Sequence, residues 1–131
     1  MQRRENMNYV VNGDIPTVID KKNLIAECRV YEDAEQNEYY TANLSVVNNI
    51  ILVVIAEAWA RTMKVRNKSF SLDTLTGVTL TRKGEGLFGM KREAILYVKD
   101  ASPIRLVGNH MHFKALVQNI AAHARVPFEL V

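Results

Sequence analysis

Ser69-Phe70-Ser71-Leu72-Asp73-Thr74-Leu75-Thr76-Gly77-Val78-Thr79-Leu80 holds a strand, a corner and a second strand. Phe70 and Leu72 alternate with Ser69 and Ser71, Asp73-Thr74 bends the chain, and alternation resumes at Val78 and Leu80. A period of two is the mark of a half-buried strand. The stretch runs on into the glycine-rich turn Lys83-Gly84-Glu85-Gly86 and a hairpin partner at Ala94 to Val98. A mainly β fold therefore centres on Lys68 to Val107, a segment with no catalytic residue type in a recognisable arrangement.

Towards the N-terminus, strands are expected at Leu24 to Tyr31 and Tyr40 to Val47, separated by the acidic loop Glu32 to Tyr39. Asn48-Asn49 suits a two-residue hairpin, because Asn tolerates positive φ. Ile50 to Ile55 follows, with five β-branched residues in six, which favours a strand. A helix capped by Asn49 and running to Met63 is the alternative, since Ala56-Glu57-Ala58-Trp59-Ala60-Arg61 contains good helix formers. Trp59 to Arg66 is expected to return as a further strand. Residues 1–13 read as an arm, and Asp14-Ile15-Pro16 as the turn that opens a single domain over 14–131.

Towards the C-terminus, Ile95 and Tyr97 mark a strand, Lys99 to Pro103 a turn, and Ile104 to Val107 a short strand. Phe113, Leu116, Val117, Ile120 and Ala124 fall three and four apart, which predicts an amphipathic helix from His110 to Arg125 capped by Asn109. Pro127 closes it, and Phe128 to Val131 is expected to form an edge strand or dock on the sheet. The expected fold class is mainly β (α+β), with six or seven antiparallel strands in a barrel or strongly bent sheet, closed by one C-terminal helix.

At 131 residues, 48% hydrophobic and 24% charged, the chain suits one core. Its longest apolar run, Ile50 to Ala56, is far short of the ~20 residues that span a bilayer. Arg3-Arg4 is followed by no apolar stretch of signal-peptide type, so a cytoplasmic protein is expected. Charge is unevenly spread: residues 1–60 carry a net −4, residues 61–92 a net +6 and residues 93–131 a net +1.

Strands followed by one closing helix resemble the pleckstrin-homology-like (PH-like) family. Phe70 to Val78 is similar to the segment of its bacterial members where a strand enters a polar corner and leaves through a small residue and a valine. The likeness continues through Gly86-Leu87-Phe88-Gly89, the strand pair to Val107 and the helix, covering about residues 20–125. The resemblance implies a binding platform rather than a catalyst, and some bacterial members form rings. Lipid-binding members hold inositol phosphates with basic residues in the first strand pair and its loop. Here that loop carries Glu32, Asp33, Glu35 and Glu38, which would repel an anionic headgroup, so phosphoinositide binding is not expected.

No enzyme, cofactor or metal site is expected. On a helix His110 and His112 point about 200° apart, and His112 lies about 16 Å from His123. Cys28 sits in an apolar run and reads as a core side chain. Gly84, Gly86 and Gly89 match the spacing of a dinucleotide fingerprint, but a strand follows them instead of a helix, so they read as a hairpin tip. The candidate binding surface is basic: Arg61, Lys64, Arg66 and Lys68 on one strand and its turn, with Arg82, Lys83, Lys91 and Arg92 flanking the glycine hairpin. The expected function is a non-catalytic protein-interaction or self-assembly module, forming homo-oligomers or binding a protein partner, the acidic loop of one copy meeting the basic face of another. The alternative is an auxiliary protein that binds nucleic acid weakly and non-specifically through residues 82–92.

Overall fold

A computed structural model describes residues 25–59, 62–86, 89–108 and 111–131. Eight strands form one sheet: β1 (Ile25–Tyr31), β2 (Tyr40–Val47), β3 (Ile50–Trp59), β4 (Thr62–Ser71), β5 (Leu75–Leu80), β6 (Arg92–Val98), β7 (Ile104–Gly108) and β8 (Phe128–Leu130). A single 3₁₀ turn, Leu72–Thr74, joins β4 to β5, and the helix α1 (Met111–Ala124) precedes β8. The spatial order is β4-β3-β2-β1-β7-β6-β5-β8. Two meanders, β1 to β4 and β5 to β7, are thus sewn together where β1 pairs antiparallel with β7.

The described residues of the fork resolve as strand, Ile50–Trp59 in β3 and the start of β4 from Thr62, and the helical alternative is overturned. Ile50 to Trp59 pairs residue for residue with Ser71 to Thr62, and its first half also pairs with β2. Ile51, Val53 and Ile55 are buried on one face, and Leu52 and Val54 on the other. An unbroken apolar run buried on both faces belongs to an interior strand. Of the strand expected at Trp59 to Arg66, Trp59 ends β3, while Thr62 to Arg66 runs on through the strand expected around Phe70 as one continuous strand, β4.

The corner expected at Asp73-Thr74 is the 3₁₀ turn, which the Ser71 side chain caps by accepting from the Asp73 N–H. Asn48, at φ 55°, makes the β2–β3 turn. The sheet does not close: β4 and β8 are its free edges, so the expected barrel is replaced by an open sheet. It has eight strands rather than six or seven, because the C-terminal tail adds one, parallel to β5.

One core fills the inner face. Ala26, Cys28 and Val30 of β1 meet Leu44, Ile51, Val53, Val78, Leu80, Leu96 and Leu106, and α1 presses Phe113, Leu116, Val117 and Ile120 onto them. Gly108 makes the approach of the helix feasible, since a Cβ there would lie 2.4 Å from the Phe113 ring. The helix ends at Arg125, which turns left-handed at φ 58° while the Val126 N–H bonds back to the Ala121 carbonyl at 3.1 Å. No helix among the described residues is long and apolar enough to cross a membrane.

Candidate functional site

The alternation that buries Cys28 and Val30 turns Arg29 and Tyr31 to the outer face of β1. Across the sheet Arg29 pairs with Val107, which pairs with Glu93, and Tyr31 pairs with Arg105. The Arg105 guanidinium lies 3.9 Å from the centre of the Tyr31 ring and 3.6 Å from the Glu93 carboxylate. Arg29 lies 4.8 Å over the Tyr39 ring, and the two tyrosine rings are 5.2 Å apart. Cations and rings therefore interleave on this face.

The hairpin between β5 and β6 roofs one side of it. Glu85 and Lys91 exchange backbone hydrogen bonds of 2.6 and 2.7 Å. Gly86 and Gly89 turn with positive φ, and a Cβ on Gly84 would lie 1.6 Å from the Gly89 carbonyl oxygen. These are the geometric demands of a hairpin tip, which account for glycine at all three positions. Beneath the hairpin lies a cleft of about 260 Å³ whose polar lining includes Lys83, Lys91, Glu85, Glu93, Arg105 and Tyr31.

The predicted basic surface divides. Arg92 donates from Nε to the Thr81 carbonyl at 2.9 Å and from Nη2 to the Arg82 carbonyl at 3.1 Å, clamping the base of the hairpin. Arg82 donates its backbone N–H to the Val131 carbonyl at 2.8 Å and its Nε to the Leu130 carbonyl at 3.4 Å, holding β8 in place. Lys83 and Lys91 line the cleft. The β4 cations are elsewhere. Arg66 and Lys68 pair with Ile55 and Val53, so they share the inner face at the far edge of the sheet. Lys64 pairs with Glu57 along the backbone, and Arg61 lies outside the described residues.

Lys68 is already engaged within the chain. It forms a salt bridge with Glu32, the first residue of the acidic loop, and lies 5.3 Å over the Tyr40 ring. Burial alone would raise the Glu32 carboxyl. The Lys68 hydrogen bond, aided by Tyr40 and by the charges of Lys68 and Arg66, outweighs burial and holds it below its ordinary value. Burial, and after it Glu32, pushes the Tyr40 phenol up. Glu32, Asp33, Glu38 and Tyr40 line a separate hollow of about 330 Å³, so the β1–β2 loop is acidic in space as well as in sequence.

Cys28 is a core side chain, its thiol pushed up to about 12 by burial and then by Glu27. Such a thiol stays protonated at neutral pH. His123 bonds the Asn119 carbonyl through Nδ1 at 2.9 Å. Among the described residues no three metal-ligating side chains gather.

Arg29, Tyr31, Tyr39 and Arg105 were not among the sequence-predicted site residues. Their signal was the outward parity of β1 and β7, but only the β1–β7 register puts the two strands together.

No family model and no curated protein matches this chain.

Proposed function

We propose that the chain is a non-catalytic interaction module of PH-like architecture that works in the cytoplasm, and that its outer cleft takes an acidic protein segment from a partner or another copy. The order of elements supports the architecture: strands, a polar corner, strands, then a helix against the shared core. The observation that carries the binding mode is the mixed charge of the cleft. Lys83, Lys91 and Arg105 sit beside Glu85 and Glu93. A uniform polyphosphate backbone would meet both carboxylates, whereas a protein segment can place carboxylates against the lysines and a donor against Glu93.

Self-assembly through the acidic loop would use Asp33, Glu35 and Glu38, since Glu32 is paired with Lys68. The alternative, weak nucleic-acid contact, draws on the exposed Tyr39 ring beside Arg29, a surface on which a base could stack.

A labelled peptide copying residues 32–39, titrated into the full chain, tests the reading, with a single-stranded oligonucleotide in parallel. At low salt the peptide is expected to bind, and replacing Lys83 and Lys91 by Ala to weaken it about tenfold, at ~0.7 kcal/mol for each exposed charge. Binding of the oligonucleotide with a steep salt dependence, and none of the peptide, would hand the site to the alternative. Light scattering at low and high salt separates self-association from capture of another protein.

A further inference from the structure

Arg105 lines the cleft, and its partners leave part of the guanidinium unused. Its Cζ lies over the Tyr31 ring, 3.9 Å from the centre, and Nη1 lies 3.6 Å from the Glu93 carboxylate. A closed pair of guanidinium and carboxylate has N···O distances of about 2.7–2.9 Å and commonly two parallel bonds. The Glu93 contact is therefore loose. Nε, on the same planar fork, is shielded from water and has no acceptor among the described residues. Buried donors are nearly always paired, so a lone one points to a missing partner.

Its neighbours in the sheet and the cleft do not supply that partner. Ile95, beside Arg105 on β6, offers hydrocarbon, and Lys83 and Lys91 bring like charge. Arg105 and Glu93 both line the cleft, with 26% and 42% of their side chains exposed. A ligand in the cleft meets this pair.

We propose that Arg105 is the carboxylate-binding residue of the cleft and that Glu93 is its resident stand-in, displaced when an acidic segment enters. The inference rests on the reading of the cleft as a site for acidic protein segments, and adds an exchange of partners to it. A side-chain carboxylate of the ligand takes Nε and one Nη of the fork together, and Glu93, once released, accepts from a donor on the same segment. Tyr31 supports the guanidinium plane throughout. Lys83 and Lys91 are exposed point charges that attract the segment, whereas the fork selects carboxylate geometry. The free chain thus carries its own competitor.

The peptide copying residues 32–39, with both ends blocked, is titrated into the full chain and its variants. Glu93→Gln is expected to bind about tenfold more tightly. Glu85→Gln removes the same charge from the same cleft without freeing Arg105, and should gain at most about twofold. Arg105→Lys keeps the charge and loses the fork, so binding should weaken about tenfold, and in that background Glu93→Gln should gain no more than Glu85→Gln does. In a chain with isotope-labelled arginine side chains, the Arg105 Nε–H resonance should move when peptide is added. Equal gains from Glu93→Gln and Glu85→Gln, or an unmoved Nε–H resonance in a chain that still binds through Lys83 and Lys91, would overturn the proposal and leave the reading of the cleft standing. A peptide that binds none of these chains would remove both.

Discussion

Gly108 sits where β7 hands the chain to the helix, and it has no room for a side chain. A Cβ there would be 2.4 Å and 2.5 Å from two carbons of the Phe113 ring. Phe113 cannot move away, because it is fully buried among the core residues of the sheet. Gly108→Ala must therefore push the ring off its rotamer or tilt α1, and overpacking of this kind costs about 1–3 kcal/mol. Thermal unfolding is expected to show that loss. Gly108→Ala should cost less in a Phe113→Ala background, which removes the Cγ and Cδ1 atoms that clash, than in the native chain. An unchanged melting temperature in the single variant would mean that the helix does not lie where the structure places it. Cys28 shows how far residue type alone can be read: an apolar neighbourhood in sequence became a buried, protonated thiol in space.

Among elements, the link between the β1–β2 loop and β4 is the least apparent from sequence. Glu32 and Lys68 stand 36 positions apart and belong to segments of opposite net charge, yet they pair within one chain. Segment charge was legible, but the contact required the four-strand meander that folds β4 back towards the loop. The folded-state pKa of Glu32 is depressed from the ordinary 4.5. Its contribution to stability is accordingly complete above that value and lost as the pH falls through the lower folded value. The pair is partly exposed, so it contributes at most about 1 kcal/mol. Denaturant titrations of the native chain and of Glu32→Gln should differ by that amount at neutral pH and converge in acid. A constant difference at every pH would show that Glu32 stabilises by packing and not by charge. Other elements were legible outright. The β2–β3 turn followed from Asn48-Asn49, the polar corner from Asp73-Thr74, and the helix from its apolar spacing. The eight-residue basic surface was not, because it was assembled from sequence neighbours. The sheet order sends β4 to one edge and the β5–β6 hairpin towards the other. Among the described residues of the eight, Lys83 and Lys91 line the cleft without also serving as a clamp.

At the scale of the whole molecule, an open sheet has two edges to manage. β4 is long, but Arg66 and Lys68 lie along it, and charged side chains on an edge oppose pairing with another chain. β5 is protected differently, by β8. The Val78 N–H donates to the Pro127 carbonyl at 3.0 Å, the Val131 N–H to the Leu80 carbonyl at 2.9 Å and the Arg82 N–H to the Val131 carbonyl at 2.8 Å. Phe128 and Leu130 also pack against the core. Removing residues 128–131 would leave the groups of Leu80 and Arg82 without partners and bare the apolar edge of Val78 and Leu80. At about 1 kcal/mol for each lost bond, plus the lost burial, the truncated chain should be about 2–3 kcal/mol less stable. Its association should also change in kind. Contacts made by Lys83, Lys91 and the acidic loop weaken as salt screens them, whereas strand pairing along a bared β5 persists. Light scattering should therefore find that high salt dissociates any oligomer of the full chain and leaves that of the truncated chain intact. Salt-resistant oligomers in both would place self-association on β4 or another edge already free in the full chain, away from the charged cleft.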